Sequence, residues 1–281
     1  MAILAIGDVH GHYEALLRLL DKAGYGDGDE LWFVGDLVNR GPDSAGVLRF
    51  VHGLARKRVV LGNHDFSILV QAQRFPGNKL QASTLEVLQA DDGEELIDGL
   101  RQFPLLYADT RLQTVMSHAG LFPQWSLEQG QAASDAVSAQ LRSSGYRDFL
   151  REIFGNLPNQ WSPELRGMDY WRFAVNAFCR MRYLNEDGSL NLEAKDKPKK
   201  TKGLQPWFSV TQTCGWRQLF GHWASLGLRT EGNIVCLDGG YAWGGQLAAY
   251  DVENRRLAAC EINCLQSKEL KNFRAEKSSS A

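Results

Sequence analysis

Short apolar runs that stop abruptly at glycine and a polar residue recur along the chain. Ala2–Ile6 leads into Gly7-Asp8-Val9-His10-Gly11, Leu31–Val34 into Gly35-Asp36, and Val59–Leu61 into Gly62-Asn63-His64-Asp65. Thr114–Met116 leads into Ser117-His118-Ala119-Gly120, and Gln218–Phe220 into Gly221-His222. Each run is too short for a helix and rich in β-branched or bulky residues, which predicts buried strands. Between the first three, residues 12–23 place Leu16, Leu19, Leu20 and Ala23 on one helical face. Residues 43–56 do the same with Val47, Leu48, Val51 and Leu54, behind the start signal Gly41-Pro42-Asp43. The alternation of strand and helix predicts an α/β sheet with its functional groups beyond the carboxyl ends of the strands. All five polar clusters fall at that end.

The 103 residues between His118 and His222 differ in character. They carry Trp125, Trp161, Trp171, Trp207 and Trp216 and several helical patterns, one over Tyr170–Tyr183 through Phe173, Ala177, Arg180 and Leu184. This region is expected to be a helical insertion of about 123–215, capping the strand ends of one domain that spans 1–270. Strand-like runs return at Ile234–Leu237 and Leu247–Tyr250, and the polar residues 271–281 are expected to form a frayed tail.

A chain of 281 residues with 44% hydrophobic and 23% charged residues can bury a sizeable core. Five cysteines without a Cys-x-x-Cys pair argue against a disulfide framework or zinc ribbon and fit free thiols in a reducing compartment. No apolar stretch approaches the roughly 20 residues that a membrane helix needs, and the first run is too short for a signal peptide. The expectation is a cytoplasmic protein. A net charge of −2, with no basic stripe interleaved with aromatics, gives no footprint for nucleic acid.

The chemistry lies in the side chains that end the runs. Four of the six histidines (His10, His64, His118, His222) stand there, with two aspartates and an asparagine in equivalent places. Asp8 and His10, two apart, share one side of an extended segment and can chelate one ion together. Asp8, His10, Asp36, Asn63, His118 and His222 form a mixed oxygen and nitrogen set without thiolate. Such a set suits manganese, cobalt, iron, nickel or zinc better than calcium or magnesium. Two divalent ions bring four positive charges and the two aspartates remove two, so the centre stays cationic and attracts phosphate oxygens. A single Gly-Asp or Gly-His pair is ordinary turn chemistry; five of them at strand ends are not.

At these residues the chain resembles the metallophosphoesterases, in the branch that holds the serine/threonine protein phosphatases and the symmetrical diadenosine tetraphosphatases. Gly7–Gly11 is similar to the Gly-Asp-x-His-Gly of that branch, Gly35–Gly41 to its Gly-Asp-x-Val-x-Arg-Gly, and Gly62–Asp65 to its Gly-Asn-His-Glu/Asp. Segments 159–167, 172–182, 206–208, 220–226 and 243–245 resemble the tetraphosphatases in particular. The resemblance implies a β-sandwich flanked by helices, more mixed than the strand–helix order suggests. It also implies two metal ions, with manganese or cobalt foremost. Asp8 and His10 would hold the first, Asn63, His118 and His222 the second, and Asp36 would bridge them.

The activity implied is symmetrical hydrolysis of diadenosine tetraphosphate to two ADP, by in-line attack of a metal-bound hydroxide. The rivals are a protein serine/threonine phosphatase, which needs an open groove, and a dinucleotide sensor without turnover. Arg40 is expected to grip a non-bridging oxygen through its planar fork, and His64 to act as general acid. Asn39 stands where the protein phosphatases carry an aspartate that pairs with this histidine; an amide is expected to orient the imidazole without stabilising its charge. Arg166, Arg180, Arg182 and Tyr241 are substrate-binding candidates, with Arg180 and Arg182 expected on one helix. The run Lys195–Lys202 is expected to be a solvated loop, the inserted tryptophans mostly core, and His12 and His52 helical and without a role.

Overall fold

A computed structural model describes residues 1–75, 80–198 and 203–263. The first three apolar runs become β1 (Ile3–Ile6), β2 (Glu30–Phe33) and β3 (Lys57–Val59), mutually parallel. They alternate with α1 (Tyr13–Ala23) and α2 (Ser44–Gly53). Asp43 caps α2 by accepting from the Gly46 amide at 2.7 Å, as its place before the apolar stripe demands. Three helices not foreseen in the sequence follow: α3 (Asn63–Ala72), α4 (Ala82–Leu88) and α5 (Gly93–Leu100). The chain then enters β4 (Leu106–Asp109) and β5 (Thr114–Ser117).

The segment after β5 holds α6 (Leu127–Arg142), α7 (Tyr146–Glu152) and α8 (Gly167–Arg180). A small antiparallel sheet of β6 (Tyr183–Leu184), β7 (Leu190–Asn191) and β8 (Gln205–Pro206) comes next. The chain returns as β9 (Arg217–Phe220), β10 (Arg229–Glu231), β11 (Ile234–Cys236), β12 (Asp238–Gly239), β13 (Gln246–Asp251) and β14 (Arg256–Ile262). Since β5 and β9 are parallel neighbours, a crossover must join them, and the long helical segment is that crossover.

The strands form two main sheets. One has the order β12-β13-β1-β2-β3, with β14 also on β13; the other is β10-β11-β9-β5-β4. In the second sheet parallel strands fill the middle and antiparallel strands the margins; in the first, parallel β1-β2-β3 run to one edge and the antiparallel strands lie on the other side of β1. The period of two along β1 shows how the layers stack. Ile3 and Ala5 join Trp32, Val34, Val60, Met116, Leu219, Val235 and Leu237 in a core between the sheets. Leu4 and Ile6 face the other way, with Leu31 and Phe33, into a core that includes Leu16, Leu19, Leu20, Val47, Leu48 and Val51 of the flanking helices. The fold is therefore the helix-flanked β-sandwich that the resemblance implied. The single parallel sheet suggested by strand–helix order alone is corrected, because that order cannot show antiparallel β13 pairing beside β1.

Two further expectations change. The helix expected over Tyr170–Tyr183 starts at Gly167 and stops at Arg180; Met181 is already extended, and Tyr183 and Leu184 are buried in β6. The third apolar run begins two residues earlier than expected, with β3 ending at Val59 and Val60 and Leu61 continuing as buried, non-strand backbone. The expectations for Trp125 and Trp207 hold, both being fully buried. Four cysteines (Cys179, Cys214, Cys236, Cys260) are unpaired thiols. Cys264, residues 271–281 and Lys199, Lys200 and Lys202 lie outside the described residues. Among the described residues, no helix is long and apolar enough to cross a membrane.

Candidate metal centre

The carboxyl ends of β1, β2, β5 and β9 converge, and the loops that leave them interlock through main-chain hydrogen bonds. Asp8 Oδ2 accepts from the His222 amide at 3.0 Å, and Asp36 Oδ1 from the His64 amide at 2.8 Å. Such contacts leave no room for a side chain on the glycines that precede Asn63 and His222. A methyl group at Gly221 would overlap Asp8 Oδ1, and one at Gly62 would overlap Asp36 Oδ1. This is the physical reason for the recurring glycine. The turns are strained as well: His10, Asp36 and His222 adopt φ of 51°, 52° and 65°, and Asn39 and Arg40 adopt 71° and 76°. Left-handed backbone costs about 1–2 kcal/mol per non-glycine residue, a cost met here at the residues that face the cavity.

All six proposed ligands are brought together. Asp36 Oδ2 lies 3.7 Å from His10 Nε2 and 3.4 Å from His118 Nε2, so one carboxylate serves both sides of the cluster. Two groups of ligand atoms fall within 4.8 Å: His10, Asp36 and His64, and Asp8, Asp36 and His118. His10 Nδ1 lies 3.3 Å from the Val38 carbonyl and His118 Nδ1 2.9 Å from that of Val34. Those carbonyls fix each ring and leave Nε2 free for a cation. The Asn63 oxygen lies 3.3 Å from His118 Nε2, and the same amide position lies 2.8 Å from His222 Nδ1. With a metal-binding, neutral His118 these are three acceptors facing one another, which repel unless a cation sits among them. Asp8 Oδ1 and His222 Nε2 are also buried without a protein partner. These residues fit divalent ions.

The titration of the cluster says the same. Burial raises Asp8 well above the carboxylate range, with the charges of Asp238 and Asp36 adding to it. Burial also carries Asp65 up to about 7 and Asp238 to about 6. For Asp36, burial is outweighed by the imidazoles, chiefly His118, and its carboxyl falls well below the ordinary range. Burial takes His10 down to about 4 and, with the Arg182 charge, His222 well below 6.5. His118 is the exception. Burial would lower it, but Asp36 outweighs burial and carries it up to about 10. A proton on His118 thus offsets the crowded carboxylates where a metal cation would do so more fully.

Two residues of the cluster were not assigned from sequence. Asp65 is fully buried and accepts from the amides of Asp36 (2.9 Å), Leu37 (3.0 Å) and Gly62 (2.8 Å). It locks the Asp36 loop to the start of α3, and its place beside His64 in the motif was the available signal. Asp238 lines the cavity and accepts from the Gly240 amide at 2.9 Å.

Five of the proposed ligands, all but the fully buried His118, form the floor of a cavity of about 500 Å³, walled by Arg40, Arg180, Arg182, Lys195, His64 and Trp243. The end of α8 is docked onto the ligand loops, with the Ala119 amide donating to the Phe178 carbonyl and Cys179 Sγ approaching the Leu61 carbonyl. Arg180, held by Asn176 and Asn156, and Arg182, donating to the His222 carbonyl at 2.7 Å, therefore reach the cavity. They do so from a helix end and the extended strand entry after it, which corrects their expected placement on one helix. Lys195 is an exposed loop residue, as expected, but it also lines the cavity, its carbonyl held by Ser225 and that of Asp196 by Tyr183.

Three expectations are corrected. Arg166 caps the far end of α8, about 20 Å along the helix from Arg180. It donates to the Pro163 and Leu165 carbonyls and does not line the cavity. Tyr241 is buried edge-on against His12, and it is Trp243, two residues on, that lines the cavity. Asn39 does not reach the His64 ring. Its amide donates to the His64 carbonyl at 3.1 Å and its oxygen accepts from Ser83 at 2.6 Å, while His64 Nδ1 is buried without a partner. Asn39 thus fixes the His64 main chain rather than its imidazole.

A helix-flanked sandwich with this ligand set at its strand ends defines a metal-dependent phosphoesterase, and the calcineurin-like phosphoesterase family model matches residues 1–133. The similarity extends much further in one branch. The chain is 44% identical over 262 residues to a symmetrical bis(5'-nucleosyl)-tetraphosphatase of Proteus mirabilis, covering 91% of this chain and 96% of that protein. It is 43% identical over 263 residues to that of Erwinia tasmaniensis, covering 92% and 96%. The chain belongs to the symmetrical bis(5'-nucleosyl)-tetraphosphatase family. A structure solved as a candidate diadenosine tetraphosphatase shares the fold, with a TM-score of 0.63 at 23% identity over 94% of both chains.

Proposed function

We propose that this chain hydrolyses diadenosine tetraphosphate symmetrically to two ADP. The observation that carries the reading is a metal-ligand floor under a cavity walled by four cationic side chains, Arg40, Arg180, Arg182 and Lys195. Such walls suit a polyphosphate held over its scissile centre better than one monoester on a polypeptide. Asp8, His10 and Asp36 would hold one divalent ion, and Asp36, Asn63, His118 and His222 the other, with manganese or cobalt foremost and iron, nickel or zinc compatible with the donors. Bound there, the ions supply positive charge to the phosphoryl group and acidify the attacking water.

The remaining work falls to the chain. Arg182, 2.7 Å from the His222 carbonyl, is held rigidly, and burial lowers its pKa to about 10, which leaves it charged at neutral pH. It and Arg180 would neutralise the phosphates on one side, while Arg40 would grip them on the other. His64 lines the cavity beside Asp36 and would give a proton to the departing ADP. Burial lowers its pKa against the opposing pull of the Asp36 charge, and no carboxylate hydrogen-bonds its Nδ1 to hold the ring protonated. ADP, a far better leaving group than a serine alkoxide, tolerates this.

In this reading 123–215 is a cap within one domain of 1–270, and the enzyme is cytoplasmic and independent of membrane or nucleic acid. The test is to incubate metal-loaded protein with diadenosine tetraphosphate and resolve the products by chromatography. Two ADP are expected. AMP plus ATP would overturn the symmetrical register, absence of turnover would favour a sensor, and faster release of phosphate from a phosphopeptide would favour a protein phosphatase.

A further inference from the structure

Trp243 is the one exposed large hydrophobic residue, among the described residues, that lines the cavity. It is 55% exposed, while the other exposed residues of that kind (Met1, Leu85, Phe154, Leu157, Leu257 and Ile262) lie elsewhere. A single exposed apolar side chain is ordinary; what distinguishes this indole is its place at the mouth of the cavity. Its backbone is not a floppy tip. The 3-10 turn Tyr241–Trp243 is bracketed by Gly240 and Gly244 at φ of 72° and 86°, and closed by hydrogen bonds from the Trp243 and Gly245 amides to the Gly240 carbonyl. Tyr241 anchors it from below, its carbonyl accepting from Asn263 at 2.9 Å. On one side the Arg40 guanidinium lies over the indole, 4.9 Å from the ring centre. The exposed remainder is a flat, rigid surface beside the groups assigned to the phosphates.

We propose that Trp243, with Arg40 stacked on it, is a nucleobase platform: the purine of one nucleoside diphosphate half stacks on the open indole surface. The proposal rests on the reading of the cavity as a dinucleoside polyphosphate site, and it names what sets preference for the base. Stacking area, rather than hydrogen bonding, then governs selection. ADP and GDP should bind more tightly than UDP and CDP, and all four more tightly than pyrophosphate. Loss of one base–aromatic stack corresponds to roughly 5- to 150-fold in affinity.

The test measures binding of ADP, UDP and inorganic pyrophosphate to metal-loaded protein by calorimetry, with tryptophan fluorescence recorded in parallel. For Trp243→Ala, ADP affinity is expected to fall within that range and pyrophosphate affinity by far less. Trp243→Phe should restore most of the ADP affinity, and the fluorescence change caused by ADP should be lost in both variants. Equal weakening of ADP and pyrophosphate would overturn the proposal, since the indole would then act only by holding Arg40. So would an unchanged ADP affinity in Trp243→Ala. Because ADP binding is read without turnover, the expected result would support the platform even if diadenosine tetraphosphate were not cleaved symmetrically.

Discussion

Two parts of the molecule reach the same cavity by different means. The loops closing β1, β2, β5 and β9 present short side chains from strained backbone, and each carboxylate is gripped by an amide of another loop. The end of α8 and the start of β6 instead present long arginines whose heads are held by carbonyls and amide side chains. A ligand fixed by interlocked main chain cannot move without breaking its neighbour's loop. An arginine held at its tip can be replaced with loss of only its own side-chain contacts. On the proposed function, the first part would be kept for the chemistry and the second would tune which phosphate ester is accepted.

The comparison can be broken most sharply at Asp36, shared by both ligand groups. Asp36→Asn is expected to bring activity to background and to leave the protein short of metal by elemental analysis; an active, fully loaded variant would refute the shared role. His64 comes next. His64→Ala should lower kcat about 10²–10⁴-fold with metal content unchanged. Because His64 also lies within ligand distance of His10 and Asp36, loss of metal instead would make it a ligand rather than an acid.

Asp65 tests the interlock itself, as it touches three amides and no cation-facing atom has been assigned to it. Asp65→Asn should weaken metal affinity about 10–100-fold, the range for groups that orient ligands, and metal titration would show it. The smallest effects belong to the arginines. Arg180→Met should raise KM for diadenosine tetraphosphate at least about tenfold, the worth of a hydrogen bond to a charged group. Arg166→Met, at the far end of α8, should leave the kinetics unchanged; equal effects of the two would show that α8 is not docked as described.

Much of the floor was legible in the sequence because its signals are local. A short apolar run, a glycine and a metal-binding side chain are neighbours in the chain, and spacing suffices to read them. The cavity walls are not local. Helical spacing carried α8 three residues too far because Tyr183 and Leu184 are as apolar as a helix face would be, and only pairing with β7 and β8 makes them strand. Tyr241 and Trp243 are equally plausible from sequence, and which of them is buried depends on His12 lying beneath the turn.

By itself, then, the sequence pointed to the candidate ligand set and the strands that carry it, through residue type at fixed short spacing, and to the family, through the motifs it resembles. Spacing along the chain did not show that two sheets rather than one carry these residues; the resemblance implied it and the tertiary structure shows it. Only the tertiary structure decided that Asn39 holds the His64 backbone and not its ring, and that Arg182 and Trp243 face the cavity while Arg166 and Tyr241 do not. Those outcomes depend on contacts between segments 20 to more than 200 residues apart, such as Asn39 with His64 and Asp8 with His222. No periodicity along the chain encodes which of several equivalent side chains such a contact will bury.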